Sequence, residues 1–219
     1  MNLIHISAFS LTIPFIISLI RYKKLDEKYS PFIWVIWFGM TTEIASILLI
    51  KYGYSNNWLT NIYTLVETTL LFELFRRWQL LGQHRWFYLT LLGLVISGWI
   101  VEWYIRGSIY PPFSIFNIYS RFAIVLIAVQ GINAVLFKEP TDVLKNPVFL
   151  LGIGFVLFFT LEILIEIFWS YGLTKSRLFR WSIYEIFDFV NLITNFIYAY
   201  AILWIPLSRR YLLQLQSPV

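Results

Sequence analysis

The chain contains seven long apolar stretches, and their length constrains the fold more than any other feature of the sequence. A helix needs about 20 apolar residues to cross the hydrocarbon core of a bilayer. The seven stretches are Leu3–Ile20, Phe32–Ile50, Trp58–Phe75, Trp86–Ile105, Phe113–Phe137, Pro147–Trp169 and Trp181–Leu207. No connection between them exceeds about a dozen residues. The sequence therefore predicts an all-α polytopic membrane protein, a seven-transmembrane-helix bundle that forms a single membrane domain over residues 1–219, with no soluble domain.

The composition agrees with a chain that lies almost wholly in lipid. Hydrophobic residues make up 59% of the chain and charged residues only 13%, whereas about 25% of residues are charged in an average soluble domain. The absence of cysteine excludes disulfides, thiolate metal sites and thiol catalysis. Two distant histidines cannot form a zinc cluster, and the last apolar stretch has no lysine for a retinal Schiff base. The sequence shows no evident retinal, haem or zinc site, and it does not identify any other cofactor.

Lysine and arginine are distributed unevenly between the two sets of connections. One side carries eleven, namely Arg21, Lys23, Lys24, Lys28, Arg76, Arg77, Arg85, Lys138, Lys145, Arg209 and Arg210. The other side carries five, namely Lys51, Arg106, Lys175, Arg177 and Arg180. Because basic residues accumulate in cytoplasmic loops, we expect the N-terminus outside and the C-terminus in the cytoplasm. This distribution also explains the net charge of +5, so the lipid bilayer is the predicted partner and nucleic acid is not.

A polar stripe runs down the last apolar stretch. Glu185, Asp188, Asn191 and Asn195 are spaced three, three and four residues apart, which places all four on one face of a helix. Carboxylates and amides cannot face lipid at a cost of several kcal/mol each. The stripe is therefore expected to face other helices or water.

Further acidic residues are predicted at membrane depth on three other helices, where Arg121 is the only cation. Six carboxylates cannot all stay ionised in a low dielectric beside one arginine, so some must be protonated, meet water or bind a cation. The functional interpretation is an outward-facing acidic cavity for a cation, a proton or an amine-bearing ligand; oxygen ligands of this kind suit calcium or magnesium. The alternative is a set of structural hydrogen bonds between helices. The predicted cavity residues are Glu43, Asn61, Glu67, Arg121, Glu162, Glu166, Glu185, Asp188, Asn191 and Asn195.

Two other groups of charges receive a simpler interpretation. Glu73 precedes Arg76 and Arg77 by three and four residues, and Glu102 precedes Arg106 by four. Such spacing is typical of exposed helix pairs, and both groups are predicted to be surface pairs near the membrane boundaries. The basic segment Lys175–Arg180, just before the polar stripe, is either a lid over the cavity or a contact for anionic lipid.

A weak internal repeat relates three helical hairpins. Glu43 and Glu162 each precede a Tyr-Gly pair whose glycine lies ten residues on. A similar tripeptide follows each of the three outer turns. The tripeptides are Asn61-Ile62-Tyr63 after the first turn, Asn117-Ile118-Tyr119 after the second and Ser182-Ile183-Tyr184 after the third. Helices 2–3, 4–5 and 6–7 are thus predicted to form three hairpins joined at the outer side, with helix 1 as an addition. Chance similarity among aromatic helices is the alternative.

Several motifs are spread along the chain, namely Glu166-Ile167-Phe168-Trp169-Ser170-Tyr171-Gly172-Leu173, then Tyr184, Asn191-Leu192, Asn195 and Ala201-Ile202-Leu203-Trp204-Ile205-Pro206, together with Asn61-Ile62-Tyr63 and Leu25-Asp26-Glu27-Lys28-Tyr29. These motifs resemble those of an uncharacterised family of small bacterial seven-helix membrane proteins. The similarity covers most of the chain. It implies a multi-pass protein of the bacterial inner membrane with a link to two-component signalling, but no activity and no site residues.

These observations favour a non-enzymatic sensor or accessory subunit that binds a cation or small ligand in the acidic cavity. Occupancy would be relayed through the helices to a membrane or cytoplasmic signalling protein. A transporter or channel subunit is the second hypothesis, and a structural subunit of a larger membrane complex is the third. An enzyme acting on lipid is the fourth, since no catalytic motif is present in the sequence.

Overall fold

A computed structural model describes residues 9–82, 85–138, 142–171, 177–208 and 211. Its seven α-helices are α1 (Thr12–Arg21), α2 (Ser30–Lys51), α3 (Asn57–Arg77), α4 (Arg85–Arg106), α5 (Ser114–Lys138), α6 (Pro147–Tyr171) and α7 (Arg177–Trp204). Short 3-10 turns lie at Tyr22–Lys24, Glu27–Tyr29 and Val143–Lys145, and the described residues include no β-strand. The all-α prediction is confirmed.

Among the described residues, five helical segments are long and apolar enough to cross a membrane. They are Glu27–Lys51, Arg85–Arg106, Ser114–Lys138, Pro147–Trp169 and Trp181–Trp204. The helix α3 has sufficient length, with 21 residues, but is less apolar because it includes Glu67, Glu73 and several threonines. The described part of α1 has ten residues, and the first six residues of the predicted stretch Leu3–Ile20 lie outside the described residues.

Six of the helices form a closed ring, and α4 lies outside it. Around the ring, α1 packs on α2, α2 on α3, α3 on α5, α5 on α6, α6 on α7, and α7 on α1. The helix α4 packs on α3 and α5 and buries only Val95 and Glu102. The closest packing is between α5 and α6, where Gly152 faces the backbone of Ala128. Small residues of this kind let helix backbones approach closely.

Each of the three sequential hairpins contains a glycine on its first helix that faces a tyrosine on its second. A side-chain carbon added at each glycine would come within 3.1 Å or less of the tyrosine. The pairs are Gly39 with Tyr63, Gly98 with Tyr119, and Gly154 with Tyr198. Tyr63 and Tyr119 occupy predicted repeat positions, whereas the third hairpin uses Tyr198 in place of Tyr184.

The basic end of the ring is the end at which α3 meets α4 and α5 meets α6. Here the connection between α1 and α2 is bound to the end of α7: Asp26 N–H donates to Pro206 O at 2.9 Å, and Ser208 N–H donates to Lys24 O at 2.7 Å. Arg21 also donates to backbone carbonyls near the end of α7. These bonds hold α1 and the connection after it against the end of α7, where the ring closes. The end of a helix leaves carbonyls without partners, and the bonds to the end of α7 satisfy some of them.

An aromatic plug fills the interior near the basic end. Phe32, Phe75 and Phe155 are fully buried, with ring centroids about 6 Å apart in edge-to-face arrangements. Trp78 packs against Phe75 and Phe155. By contrast, many large apolar side chains are exposed on the outside of the ring. A surface of this kind is typical of helices that face lipid rather than water.

Candidate functional site: a buried carboxylate–arginine cavity

Three helices bring charged side chains to one point inside the ring. Arg121 of α5 is buried, with 7% of its side chain exposed, and its Nε lies 2.7 Å from Oε2 of Glu162 on α6. The N–H is not directed at that oxygen, so the contact is an ion pair rather than a hydrogen bond. Glu166, one turn further along α6, places Oε1 3.5 Å from Arg121 Nη1. The four-residue spacing of the two glutamates presents both to a single guanidinium.

Polar neighbours on the same helices position these carboxylates. Asn117, one turn before Arg121, donates from Nδ2 to Glu166 Oε1 at 2.9 Å. Tyr63 on α3 donates its hydroxyl to Glu67 Oε1 at 2.8 Å, and Arg121 acts electrostatically on Glu67. Neither Tyr63 nor Asn117 was predicted as a site residue, although each lies four residues before a charged residue that was.

The cluster has an excess of negative charge. With all groups ionised, Glu67, Glu162 and Glu166 carry three negative charges, and Arg121 carries one positive charge. Because buried charges of one sign repel strongly in a low dielectric, the excess must be neutralised by protons, water dipoles or a bound cation. Among the described residues, Arg121 is the only lysine or arginine that lines the adjoining cavity.

A cavity of about 370 Å³ adjoins the cluster and is lined mainly by residues of α2, α3, α5, α6 and α7. Its polar wall includes six of the ten predicted residues, namely Glu43, Glu67, Arg121, Glu162, Asn191 and Asn195. Its apolar wall combines aliphatic side chains with five phenylalanines, namely Phe32, Phe155, Phe158, Phe159 and Phe187. A cavity of this size, with a few polar groups and an apolar wall, is typical of small-molecule sites.

The amides of α7 join the cavity wall to the segment before α1. Asn195 is 3% exposed; its Nδ2 donates to Ser10 Oγ at 2.7 Å and to Asn191 Oδ1 at 3.1 Å. These two bonds use both N–H donors of the buried amide and hold α7 beside the segment before α1. The cavity wall is thereby connected to the start of the described chain.

The other two members of the predicted stripe lie away from the cavity. Glu185 is exposed and Asp188 is half-buried, and neither lines the cavity. The helix turns by about 100° per residue, so Glu185 points about 80° away from Asn195 and lies about 15 Å further along the axis. Glu185 and Asp188 thus lie outside the lining of this cavity, and the assignment of all four residues to one site stays a prediction. In the basic segment Lys175–Arg180, only the side chain of Phe179 lies within the described part of the chain.

Asn61 also lies outside the cavity lining, and its contacts show a different role. Its Nδ2 donates to Ile109 O and to Pro111 O, both at 2.8 Å, and its Oδ1 accepts from Phe113 N–H at 3.1 Å. The amide thus uses both its donor and its acceptor to hold the connection between α4 and α5. Glu166 likewise does not line the cavity and acts on it through Arg121.

Glu102 is buried rather than part of a surface pair. It is 3% exposed and accepts hydrogen bonds from the backbone N–H groups of Ile115 and Phe116 at 3.2 and 2.5 Å. Its contact with Arg106 is longer, at 3.6 Å. A carboxylate at the first turn of a helix satisfies N–H groups that have no partner within that helix. Glu102 therefore fixes the start of α5, the helix that carries Arg121.

The fold and the site together define a class: an all-α protein with five candidate membrane-spanning helices and a buried cavity lined by carboxylates, one arginine and phenylalanines. Within the described residues, no group of three or more His, Asp or Glu side chains is close enough to hold a metal ion. Comparison of the chain with protein-family models, curated proteins and solved structures gave no match.

Proposed function

We propose that the protein is a non-enzymatic sensor or accessory subunit of the bacterial inner membrane, and that its acidic cavity binds a small cationic ligand. The proposal depends on one observation above all: three carboxylates face one arginine beside a cavity of about 370 Å³. The seven helices would span the membrane and relay occupancy to a membrane or cytoplasmic signalling partner.

The lining of the cavity supports an organic cation as the ligand. Glu43 is half-buried in the wall and forms no ion pair with a described residue, so it is available to an incoming positive charge. The phenylalanines that line the same cavity can contact the apolar part of an amine, and aromatic faces attract cations by about 0.5–2 kcal/mol. An anion would instead meet the excess negative charge of the cluster.

The position of the cavity supports access from the outer side. Its lining extends to Ile50 and Asn56 at the connection between α2 and α3, which belongs to the side with fewer basic residues. At the basic end the buried Phe32, Phe75 and Phe155 separate it from the cytoplasmic side that the positive-inside rule assigns. We therefore infer an outward-facing site with the N-terminus outside.

The same aromatic plug favours a sensor over the second candidate, a transporter or channel subunit. A conduction path would have to continue past Phe75 and Trp78, which are packed against Phe155. Ligand uptake into proteoliposomes separates the two functions, because a sensor binds the ligand without accumulating it. A structural subunit of a larger complex would instead co-purify with its partner in mild detergent.

Ligand-induced stabilisation of the purified protein tests the proposal directly. A ligand at about 100 times its Kd should stabilise the protein by about 2.7 kcal/mol. We expect this stabilisation with primary and quaternary amines, and we expect Glu43→Gln and Glu67→Gln to reduce it. Calcium chloride and magnesium chloride, matched in ionic strength, test inorganic cations in the same assay.

Glu185→Gln is the matched control, since it removes an equal charge from the same protein away from the cavity. The control variant should respond as wild type does. A folded Glu43→Gln, Glu67→Gln double variant with the full amine response would refute the cavity as the binding site.

A further inference from the structure

A second cavity, of about 750 Å³, lies at the basic end, where α3 meets α4. It is separate from the acidic cavity and shares no lining residue with it. Its wall contains three arginines and one carboxylate, and the lining residues are Glu73, Arg76, Arg77, Gln79, Gly82, Arg85, Tyr88 and Leu89. The charge of its wall is therefore opposite to that of the acidic cavity.

Glu73 fixes two of the three arginines in place. It accepts from Arg76 Nε and Nη2, both at 2.6 Å, and from Arg77 Nε at 2.7 Å. Arg77 also donates from Nη1 to the backbone of Glu27 and to Ser30 Oγ, so its main contacts lie within the protein. One carboxylate against three guanidinium groups leaves a net charge of +2.

Arg85 is the arginine most available to a ligand. It is exposed, and it forms no ion pair with any residue in the described ranges. Arg76 also lines the cavity, with its guanidinium 5.4 Å from the centre of the Tyr88 ring. A guanidinium offers paired N–H donors whose geometry matches that of a phosphate.

The turn beneath the cavity is held in a conformation that usually requires glycine. The turn that follows α3 has Gln79 at φ 62°, where Gln79 N–H donates to Arg76 O and Leu80 N–H donates to Phe75 O. The helix α2 ends in the same pattern of bonds with Gly53 at φ 79°. A non-glycine residue in this region costs about 1 kcal/mol or more. The chain carries Gln79 at this position despite that cost, and the amide side chain of Gln79 lines the cavity.

An exposed apolar surface begins directly beside the arginines. Trp86 is 80% exposed, Phe87 is 53% exposed and Leu89 is 40% exposed. A free phosphate would use only the arginines, whereas a phospholipid would use the arginines for its headgroup and this surface for its acyl chains. Aromatic residues of this kind are enriched at the headgroup level of membranes.

We propose that this cavity binds the phosphate headgroup of an anionic phospholipid, and that Arg76 and Arg85 contact the phosphate. The site rests on the membrane location of the protein and is independent of what the acidic cavity binds. Basic pockets at the cytoplasmic ends of transmembrane helices suit such headgroups, and each basic side chain contributes about 1 kcal/mol. That contribution corresponds to about a fivefold change in affinity.

The test measures lipid-induced thermal stabilisation of the delipidated protein in a neutral detergent. The added probes are phosphatidylglycerol, cardiolipin, phosphatidylcholine and inorganic pyrophosphate. We expect the two anionic lipids to stabilise the wild type. Arg85→Gln should weaken this binding about fivefold, and Arg76→Gln, Arg85→Gln together about 25-fold. Lys138→Gln, which removes an exposed cation at the same end outside the cavity, should bind like wild type.

Three outcomes would overturn the proposal. Equal losses in Lys138→Gln and Arg85→Gln would show that diffuse surface charge attracts the lipid. Binding of pyrophosphate as tight as that of cardiolipin would assign the cavity to a free phosphate compound. Stabilisation by phosphatidylcholine equal to that by the anionic lipids would show that the net charge of the lipid headgroup plays no part in binding. Competition of pyrophosphate against cardiolipin on the wild type gives a readout that does not depend on the folding of any variant.

Discussion

Replacing Arg121 with glutamine should destabilise the protein much more than replacing its partner Glu162. The two side chains form the shortest contact of the buried cluster, at 2.7 Å, yet their removal has unequal consequences. Without Arg121, the carboxylates of Glu162, Glu166 and Glu67 lose the cation that they share. Without the charge of Glu162, Arg121 still lies 3.5 Å from Glu166 and interacts with Glu67.

The size of this difference follows from the geometry. At an effective dielectric constant of about 20, opposite charges 2.7 Å apart attract by about 6 kcal/mol and charges 3.5 Å apart by about 5 kcal/mol. Desolvation offsets most of this attraction in the intact cluster, whereas leaving a buried charge uncompensated costs about 3–5 kcal/mol. We expect Arg121→Gln to lose about that amount and Glu162→Gln to lose about 1 kcal/mol.

Unfolding of the purified variants in mixed micelles, followed by the fluorescence of the ten tryptophans, measures the free energy of unfolding. The double variant Arg121→Gln, Glu162→Gln should lose less than the sum of the single losses, because removing Glu162 leaves fewer unpaired charges. A loss in Glu162→Gln equal to that in Arg121→Gln, or strict additivity, would refute the shared-cation arrangement.

Three further variants test the contacts that position the cavity. Asn61→Ala removes three hydrogen bonds to the connection before α5; it should cost about 2–4 kcal/mol and speed proteolytic cleavage of that connection, and unchanged cleavage would contradict the clamp. Gly154→Ala places a carbon 2.5 Å from Tyr198 Cε1 and should lower the free energy of unfolding by about 1–3 kcal/mol. The control Gly93→Ala meets nothing within 4 Å and should be neutral or stabilising. Glu102→Gln weakens the charged cap of α5 and should cost about 1–2 kcal/mol in the same assay; wild-type stability would show that water replaces the cap.

Helical periodicity predicted local relations correctly but did not establish which faces meet. Glu162 and Glu166 were expected on one face of one helix, and they do converge on Arg121. The cavity predicted from the sequence includes Asn61, which shares a helix with Glu67. In the structure it clamps a connection instead, since its face is turned toward the residues before α5.

Charge spacing alone predicts the wrong burial for Glu102. The four-residue spacing of Glu102 and Arg106 predicted an exposed pair, but α5 begins against Glu102 and covers it. The spacing of Glu73, Arg76 and Arg77 likewise does not predict the arginine-containing cavity beside them. That cavity depends on where α4 starts after the turn at Gln79.

The sequence by itself determined the all-α fold and the presence of unpaired acidic residues among apolar helices, because length, hydropathy and charge count are properties of single segments. Only the tertiary structure decided which acids form the site. Glu43, Glu67 and Glu162 line one cavity, while Glu185 and Asp188 do not. The physical reason is that a helix rotates by about 100° per residue, so small differences in rotation and axial position of packed helices decide which polar side chains meet Arg121.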